Sequence, residues 1–280
     1  MTLQYIVPLE PNLEERLQEL IDEPTFMVSS SGIPVLYILA NSNSNVTAVD
    51  FDKNQFLLLN ILASGFEHLG FEDFMKIVLG RFDDVTKNDL DLIVNYTVEK
   101  CNFLKQDAVF NLLKDYEVGV SQHGQDVIVN WYKWLDFVVF ERLKKSIKSK
   151  RLASNLGEFN TVIQFEPDGH YGFIDLSNIR EWKYQALINN FPIKSEGSYQ
   201  LYNSNFEDWD KRLSEFCYEK STANSCIRNK TFPHFWENSQ PSIKQCQYWK
   251  EKFEFIRNTD YNVLHDKKMQ KASIEIYRKI

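Results

Sequence analysis

The sequence predicts an α+β fold: three short strands, then three helices, then a mostly helical second half that contains one β-hairpin. Three observations predict it. Short apolar runs separated by Ser, Asn and Gly occupy residues 25–51, as in small sheets. Amphipathic patterns with helix-capping residues follow up to position 104. Beyond them, helical patterns flank the turn Glu166-Pro167-Asp168-Gly169, which is typical of a hairpin.

The strands and helices of the first part follow from local chemistry. We expect strands at Phe26–Val28, Val35–Leu39 and Val46–Phe51, joined by tight turns into an antiparallel sheet. Asp52 can cap a helix that ends at Gly65. The further helices expected here are Phe71–Leu79 and a third, which opens with the capping box Thr86 to Asp89 and reaches Cys101; residues 102–104 are expected to return to the sheet.

The chain divides into three segments on these patterns. Residues 1–24 predict an N-terminal helix that stops before Pro24. Residues 25–104 form the strand and helix module. Residues 105–280 form an α+β domain with a helix at 127–148 and a hairpin at 159–176.

Composition excludes several classes of function. With 280 residues, 43% of them hydrophobic, the chain has the content of a folded protein. A net charge of -7 opposes general attraction to phosphate backbones and argues against a nucleic acid partner. The sequence shows no signal-peptide pattern and no apolar run near the ~20 residues that span a bilayer. We therefore expect a cytoplasmic protein without a membrane partner.

The familiar catalytic motifs are absent from the sequence. It contains no Walker-type phosphate loop and no Gly-x-Gly-x-x-Gly turn, so nucleotide-dependent chemistry has no motif to support it. It also lacks a Gly-x-Ser-x-Gly elbow and a His-Glu-x-x-His helix. We assign no catalytic residue, no metal ligand and no cofactor from sequence.

Two clusters have residue types that can carry chemistry. Cys217, Cys226, His234 and Cys246 include zinc-ligand types, but their long gaps favour buried thiols, and metal binding stays open. Near the predicted hairpin turn, Asp168 could raise the basicity of His170, although a turn histidine is more often solvated.

Two other segments are candidate contact surfaces. A basic run closes the predicted long helix and fits either a solvated helix end or a docking patch; it comprises Arg142, Lys144, Lys145, Lys148, Lys150 and Arg151. The aromatic segment Lys230–Glu237 fits either a loop held in the core by its rings or an interface anchor.

The order of elements from Thr25 to Leu104 resembles a RiPP recognition element, the PqqD-like winged-helix module that binds leader peptides. The resemblance lies in the strand Val46–Phe51 followed by Asp52, the Leu-rich helix to Gly65 and the two further helices. It implies that an extended peptide adds to the free edge of the third strand. The implied peptide-binding residues are Val46, Ala48, Asp50, Leu90, Ile93, Val94 and Val98.

This resemblance implies a peptide-binding adaptor, similar to the partner proteins of multinuclear non-haem iron oxidases in peptide natural-product biosynthesis. The implied partners are a precursor peptide and an iron-dependent metalloenzyme subunit. Two alternatives stay open: a winged-helix DNA-binding regulator, and an enzyme of unrecognised class acting through Asp168, His170 and the Cys217–Cys246 region. Four aspartates against Lys87 alone between Asp83 and Asp91 argue against the DNA reader.

Overall fold

The protein was analysed as a computed structural model that describes residues 22–101, 105–123, 128–129, 132–190, 196–231, 242–265 and 268–280. These residues fall into two compact units. The first unit contains Ser29–Gly157. The second contains the described residues up to Val28 and those from Glu158 onward.

The first unit pairs two parallel strands with a set of helices. Strand β2 (Val46–Asp50) pairs in parallel with β3 (Leu152–Leu156) over all five of its residues. The helices of this unit are α1 (Ile33–Asn41), α2 (Lys53–His68), α3 (Phe71–Val78), α4 (Lys87–Lys100), α5 (Gln106–His123) and α6 (Phe137–Lys148), with a 3-10 turn at Phe82–Asp84.

The second unit has the strand order β1-β4-β5-β7-β6. Strands β1, β4 and β5 run parallel, whereas β7 runs antiparallel to both β5 and β6. The strands are β1 (Thr25–Val28), β4 (Tyr171–Asp175), β5 (Ser221–Thr231), β6 (Phe253–His265) and β7 (Lys268–Lys279). The helices are α7 (Phe159–Ile163), α8 (Ile179–Asn190), α9 (Glu196–Lys220) and α10 (Gln247–Lys250), with a 3-10 turn at Ile243–Gln245.

The predicted antiparallel sheet of residues 25–51 is wrong, although two of its three strands exist. Residues 35–39 belong to α1, in which every residue from Ile33 to Ala40 is buried. A helix buried on all sides shows no 3.6-residue periodicity, so its apolar run looks the same as a buried strand. The winged-helix arrangement therefore fails at its second element.

The helices predicted after Asp52 are present, with one changed boundary. Asp52 caps α2 by accepting the Asn54 N–H at 2.8 Å, and Thr86 caps α4 by accepting the Asp89 N–H at 3.2 Å. Gly65 lies inside α2 rather than at its end. A Cβ there would lie 2.9 Å from the Phe74 ring, so this glycine lets α3 pack closely. Residues 102–104, expected as a fourth strand, lie outside the described residues.

The hairpin predicted at 159–176 is wrong. Phe159–Ile163 forms the short helix α7, and Phe26 packs edge-on against the Phe159 ring at 4.8 Å between centroids. Strand β4 pairs with β1 on one side and β5 on the other, both parallel. Gly169 does adopt the left-handed turn conformation, but the residues before it fold as a helix. Of the long helix predicted at 127–148, the structure describes Phe137–Lys148 as helix.

The N-terminal helix predicted for residues 1–24 falls almost entirely outside the described residues. No described helix is both long enough and apolar enough to cross a membrane.

Gly32 fixes the entry into α1 and provides a stability test. Its φ of +80° is left-handed, and a Cβ there would lie 3.3 Å from Leu59 Cα. We expect Gly32→Ala to lower the free energy of unfolding by roughly 1–3 kcal/mol, from the left-handed cost plus crowding. Urea denaturation monitored by circular dichroism measures it.

Gly70→Ala is the matched control. Gly70 has an ordinary φ of -80°, and a Cβ there meets no atom of the described chain within 4 Å. We expect a loss of at most about 1 kcal/mol, because alanine caps a helix less well than glycine does. Equal losses in both variants would contradict the special role of Gly32.

Candidate functional site

The candidate site of the first unit lies where β2 ends. Asp50 is the last residue of β2, and its carboxylate accepts hydrogen bonds from the loop Ser29–Gly32, which follows β1 in the chain. The Ser29 hydroxyl donates at 3.1 Å and the Ser30 N–H at 3.0 Å, both to Oδ2. The Asp52 N–H donates to Oδ1 at 2.9 Å. Two segments 21 residues apart are thereby joined through one carboxylate.

The backbone holds the Ser29–Gly32 loop in a tight turn. The Gly32 N–H donates to the Ser29 carbonyl at 2.8 Å, and the Ser29 N–H donates to the Val49 carbonyl at 2.8 Å. Gly32 then opens α1 without a side-chain cap. Ser31 is 2% exposed, and its hydroxyl has no hydrogen-bond partner within the described part of the chain.

Burial sets the electrostatics of Asp50. The side chain is almost fully buried, and burial raises its pKa to about 6, against the opposing effect of the three hydrogen bonds. Phe51, the next residue, has the opposite environment, because 66% of it is exposed. The end of β2 therefore carries a buried carboxylate beside an exposed aromatic ring.

The seven residues expected to bind a peptide lie mostly in the core of the first unit. On β2, Val46 and Ala48 are buried together with Asp50. On α4, Ile93 and Val94 are buried while Leu90 and Val98 are half-buried. Helix α2 contacts both β2 and α4, so these elements belong to one packed layer.

Strand β2 does not offer the free edge that peptide addition requires. All five of its residues pair with β3 on one side. On its other side, the Val49 carbonyl accepts the Ser29 N–H. Strand addition at Val46–Asp50 needs unpaired backbone groups, so the adaptor mechanism is overturned and we abandon it.

Three of the six residues of the basic run have a structural role within the first unit. Arg142 donates to the Ala40 carbonyl at 3.0 Å, and Lys144 donates to the Leu69 carbonyl at 2.7 Å. Arg151 donates to the Ser42 and Ser44 carbonyls, both at 2.7 Å. These cations bind carbonyl groups at and beyond helix ends, where the helix dipole favours positive charge.

The described residues of the unrecognised-enzyme alternative are either exposed at the surface or buried. Asp168 pairs with Lys220 at 2.6 Å, and His170 is exposed beside the Tyr171 ring. The Cys217 and Cys246 thiols are buried, and burial raises the pKa of each, which keeps them protonated and unreactive.

The possible zinc cluster is described only in part. Cys226 is also a buried free thiol, whereas His234 and most of the aromatic segment Lys230–Glu237 lie outside the described residues. Among the residues that the structure does describe, no group of three His, Cys, Asp or Glu side chains could hold a metal ion.

Sequence reasoning considered Asp50 only as a peptide-binding residue and did not single out Ser31 or Phe51. It looked for a Gly-x-Gly-x-x-Gly turn and, not finding one, set nucleotide sites aside. The signal that could have found the site is weaker: a turn with a glycine before an apolar run, and an acid ending the next strand about 20 residues later.

Comparisons with known proteins give only distant structural likenesses. No family model matches the chain, and no curated protein matches it. Among solved structures, a SAM-dependent methyltransferase from Aquifex aeolicus aligns at 11% identity and TM-score 0.39, covering 99% of this chain and 92% of that one. TehB from Haemophilus influenzae aligns at 11% identity and TM-score 0.42, covering 96% and 62%.

A third solved structure is a predicted O-methyltransferase from Agrobacterium tumefaciens. It aligns at 6% identity and TM-score 0.39, covering 100% of this chain and 81% of that one. The parallel pairing of β2 with β3 and the helix formed by residues 35–39 overturn the resemblance to a RiPP recognition element and the expected peptide-adaptor function.

The raised pKa of Asp50 makes stability depend on pH. Its folded pKa of about 6 exceeds the ordinary value of 3.8, so between these values the folded state binds more protons than the unfolded state. The free energy of unfolding should therefore fall as pH rises from 4 to 6, by on the order of 2–3 kcal/mol from this group. Urea denaturation across that range measures it.

Asp50→Asn is the comparison variant for this dependence. It removes the titrating proton but keeps an acceptor oxygen for the loop, so its stability should fall less between pH 4 and 6 than that of the wild type. An identical pH dependence in the two proteins would show that Asp50 titrates normally.

Proposed function

We propose that the first unit binds S-adenosylmethionine at Asp50 and the Ser29–Gly32 loop, and that the chain is an S-adenosylmethionine-dependent transferase. The observation that carries this proposal is the buried Asp50 carboxylate at the carboxyl end of β2, which accepts hydrogen bonds from that loop. In α/β proteins an acidic residue at the end of this strand accepts hydrogen bonds from the ribose hydroxyls of a nucleoside cofactor.

Asp50 has acceptor capacity for a ribose hydroxyl. An ionised carboxylate offers about four acceptor positions, and three donors from the described residues reach Asp50. A further donor would stabilise the anion, which burial disfavours here. A ribose hydroxyl is such a donor, so ligand binding would offset part of the cost of burying this charge.

Phe51 supports an adenine ring beside the ribose. Two thirds of this side chain is exposed, although a phenyl ring is among the groups that gain most from burial. Aromatic rings offer a flat face on which nucleobases stack. A carboxylate for the ribose and a ring for the base lie on consecutive residues, which suits a nucleoside.

The loop favours a nucleoside without a pyrophosphate. Dinucleotide loops use several glycines and the first N–H groups of a helix to bind pyrophosphate. Here Gly32 is the loop's one glycine, and Pro34 in the first turn of α1 has no N–H.

S-adenosylmethionine fits these residues, and one solved structure with a similar fold is titled a SAM-dependent methyltransferase. That likeness supplies the cofactor to test, while the loop, Asp50 and Phe51 carry the argument. When bound, this cofactor supplies an electrophilic carbon attached to a sulfonium. Asp50 would orient the ribose, and Phe51 would shield the base from water.

Binding of the cofactor can be tested by isothermal titration calorimetry with S-adenosylmethionine and S-adenosylhomocysteine. We expect at least one of them to bind the full chain, with tenfold or greater weakening in Asp50→Asn, equivalent to about 1.4 kcal/mol. Phe51→Ala should weaken binding by a similar factor. Affinity should also fall below pH 6, where Asp50 becomes protonated.

Asp73→Asn is the control, because Asp73 is a surface residue paired with Lys76 on α3. It should leave the affinity unchanged. No binding of either compound, or equal binding by Asp50→Asn in a folded variant, would overturn the proposal. Tighter binding of NAD than of both adenosyl compounds would also overturn it.

A further inference from the structure

Strand β3 of the first unit has one side that no other described strand covers. It pairs with β2 along its whole length. The Arg151 carbonyl and the Gly157 N–H, which flank β3, bond to β2 at 2.7 and 2.8 Å. Main-chain groups of successive strand residues point to opposite sides of the strand. The residues of β3 that direct their N–H and C=O groups away from β2 are therefore Leu152, Ser154 and Leu156.

This edge lacks the features that keep other strands from pairing with it. Exposed edges are commonly protected by charged side chains, by proline or by a β-bulge. The five residues of β3 include no charge and no proline, and their register with β2 is unbroken. The terminal strand β6 of the second unit differs, because it has a bulge between Phe255 and Arg257 and the exposed charges of Glu254 and Asp260. Strand β3 is the less protected edge.

The sequence of β3 is complementary to itself when two copies run antiparallel. It reads Leu-Ala-Ser-Asn-Leu, with leucine at both ends and serine at the centre. With Ser154 opposite the partner's Ser154, Leu152 lies opposite the partner's Leu156. Directly opposite residues then share a face of the sheet, as cross-strand pairing requires. The outward-directed residues form hydrogen-bonded pairs, and each pair exchanges two N–H···O bonds.

The face of β3 that carries the leucines is incompletely covered. The Ser154 hydroxyl donates to Asn60 Oδ1 of α2 at 3.0 Å, so this face is turned toward α2. Leu156 is nevertheless 38% exposed, and Leu152 is half-buried. A second β3 strand would bring a leucine beside each of them and remove apolar surface from water.

We propose that β3 is a dimerisation edge, at which two copies of this chain pair antiparallel about a two-fold axis through Ser154. A two-fold interface uses the same surface on both subunits, and a strand that matches its own reverse meets that condition. Five residues span only about 17 Å, so the interface is smaller than that of a permanent dimer. The dimer is therefore reversible, with a dissociation constant in the micromolar range. It does not depend on the proposed cofactor function.

Sedimentation velocity of the full chain across the micromolar range tests the dimer and its register. The wild type should shift from monomer to dimer as its concentration rises. The double variant Leu152→Lys/Leu156→Lys places like charges opposite each other at both leucine pairs, which should weaken association at least tenfold. Leu152→Lys/Leu156→Glu is the matched control, because it changes the same positions but places opposite charges across the axis. It should retain the dimer.

Three results would overturn the proposal. They are a wild type that stays monomeric throughout, a dimer that persists in the folded Lys/Lys variant, and loss of the dimer in both folded variants.

A cross-linking variant decides the matter if the double variants do not fold. In the proposed register, the two Cα atoms of residue 154 lie about 5.5 Å apart, within the range of a disulfide. The four native cysteines are buried free thiols. Mild oxidation of Ser154→Cys should therefore give a covalent dimer. Ser149→Cys, at an exposed position outside β3, should stay monomeric. A folded Ser154→Cys that cross-links no more than Ser149→Cys would contradict the pairing.

Discussion

The hydrogen bonds of the Asp50 carboxylate shape the candidate site of the first unit. One side chain accepts from the Ser29 hydroxyl, the Ser30 N–H and the Asp52 N–H. Its burial raises its pKa, and the polar contacts from the loop and from its own strand end oppose that rise. Burying a carboxylate costs stability. A buried carboxylate at a strand end is therefore a candidate for a binding role.

The two units differ in their kind of packing. In the first unit, the turn at Gly32 leads from the loop into α1, a helix buried almost throughout. In the second unit, the Trp209 ring stacks on another aromatic ring, and Lys183 forms an ion pair with Glu158.

Half of the basic run that looked available for partners in the sequence is bonded within the protein. Arg142, Lys144 and Arg151 bond main-chain carbonyls, which removes them from the basic docking patch that the sequence left open. In the second unit, Arg180 and Asp210 form a fully buried pair, and the Tyr248 hydroxyl also donates to Asp210. Charge runs in a sequence say little about partners until their hydrogen bonds are known.

The sequence by itself determined the elements with strong local signals. Strands β1 and β2 and the capped starts of α2 and α4 follow from strand-like runs and from Asp52 and Thr86, because caps and turns depend on neighbouring residues. Tertiary structure decided the rest. Residues 35–39 form a helix that is buried throughout, so their apolar run carries no helical period. Strands β2 and β4 pair in parallel with strands distant in sequence, which no short-range pattern records. The hydrogen bonds between Asp50 and the Ser29–Gly32 loop are likewise a tertiary feature, because they join residues about 20 positions apart in the chain.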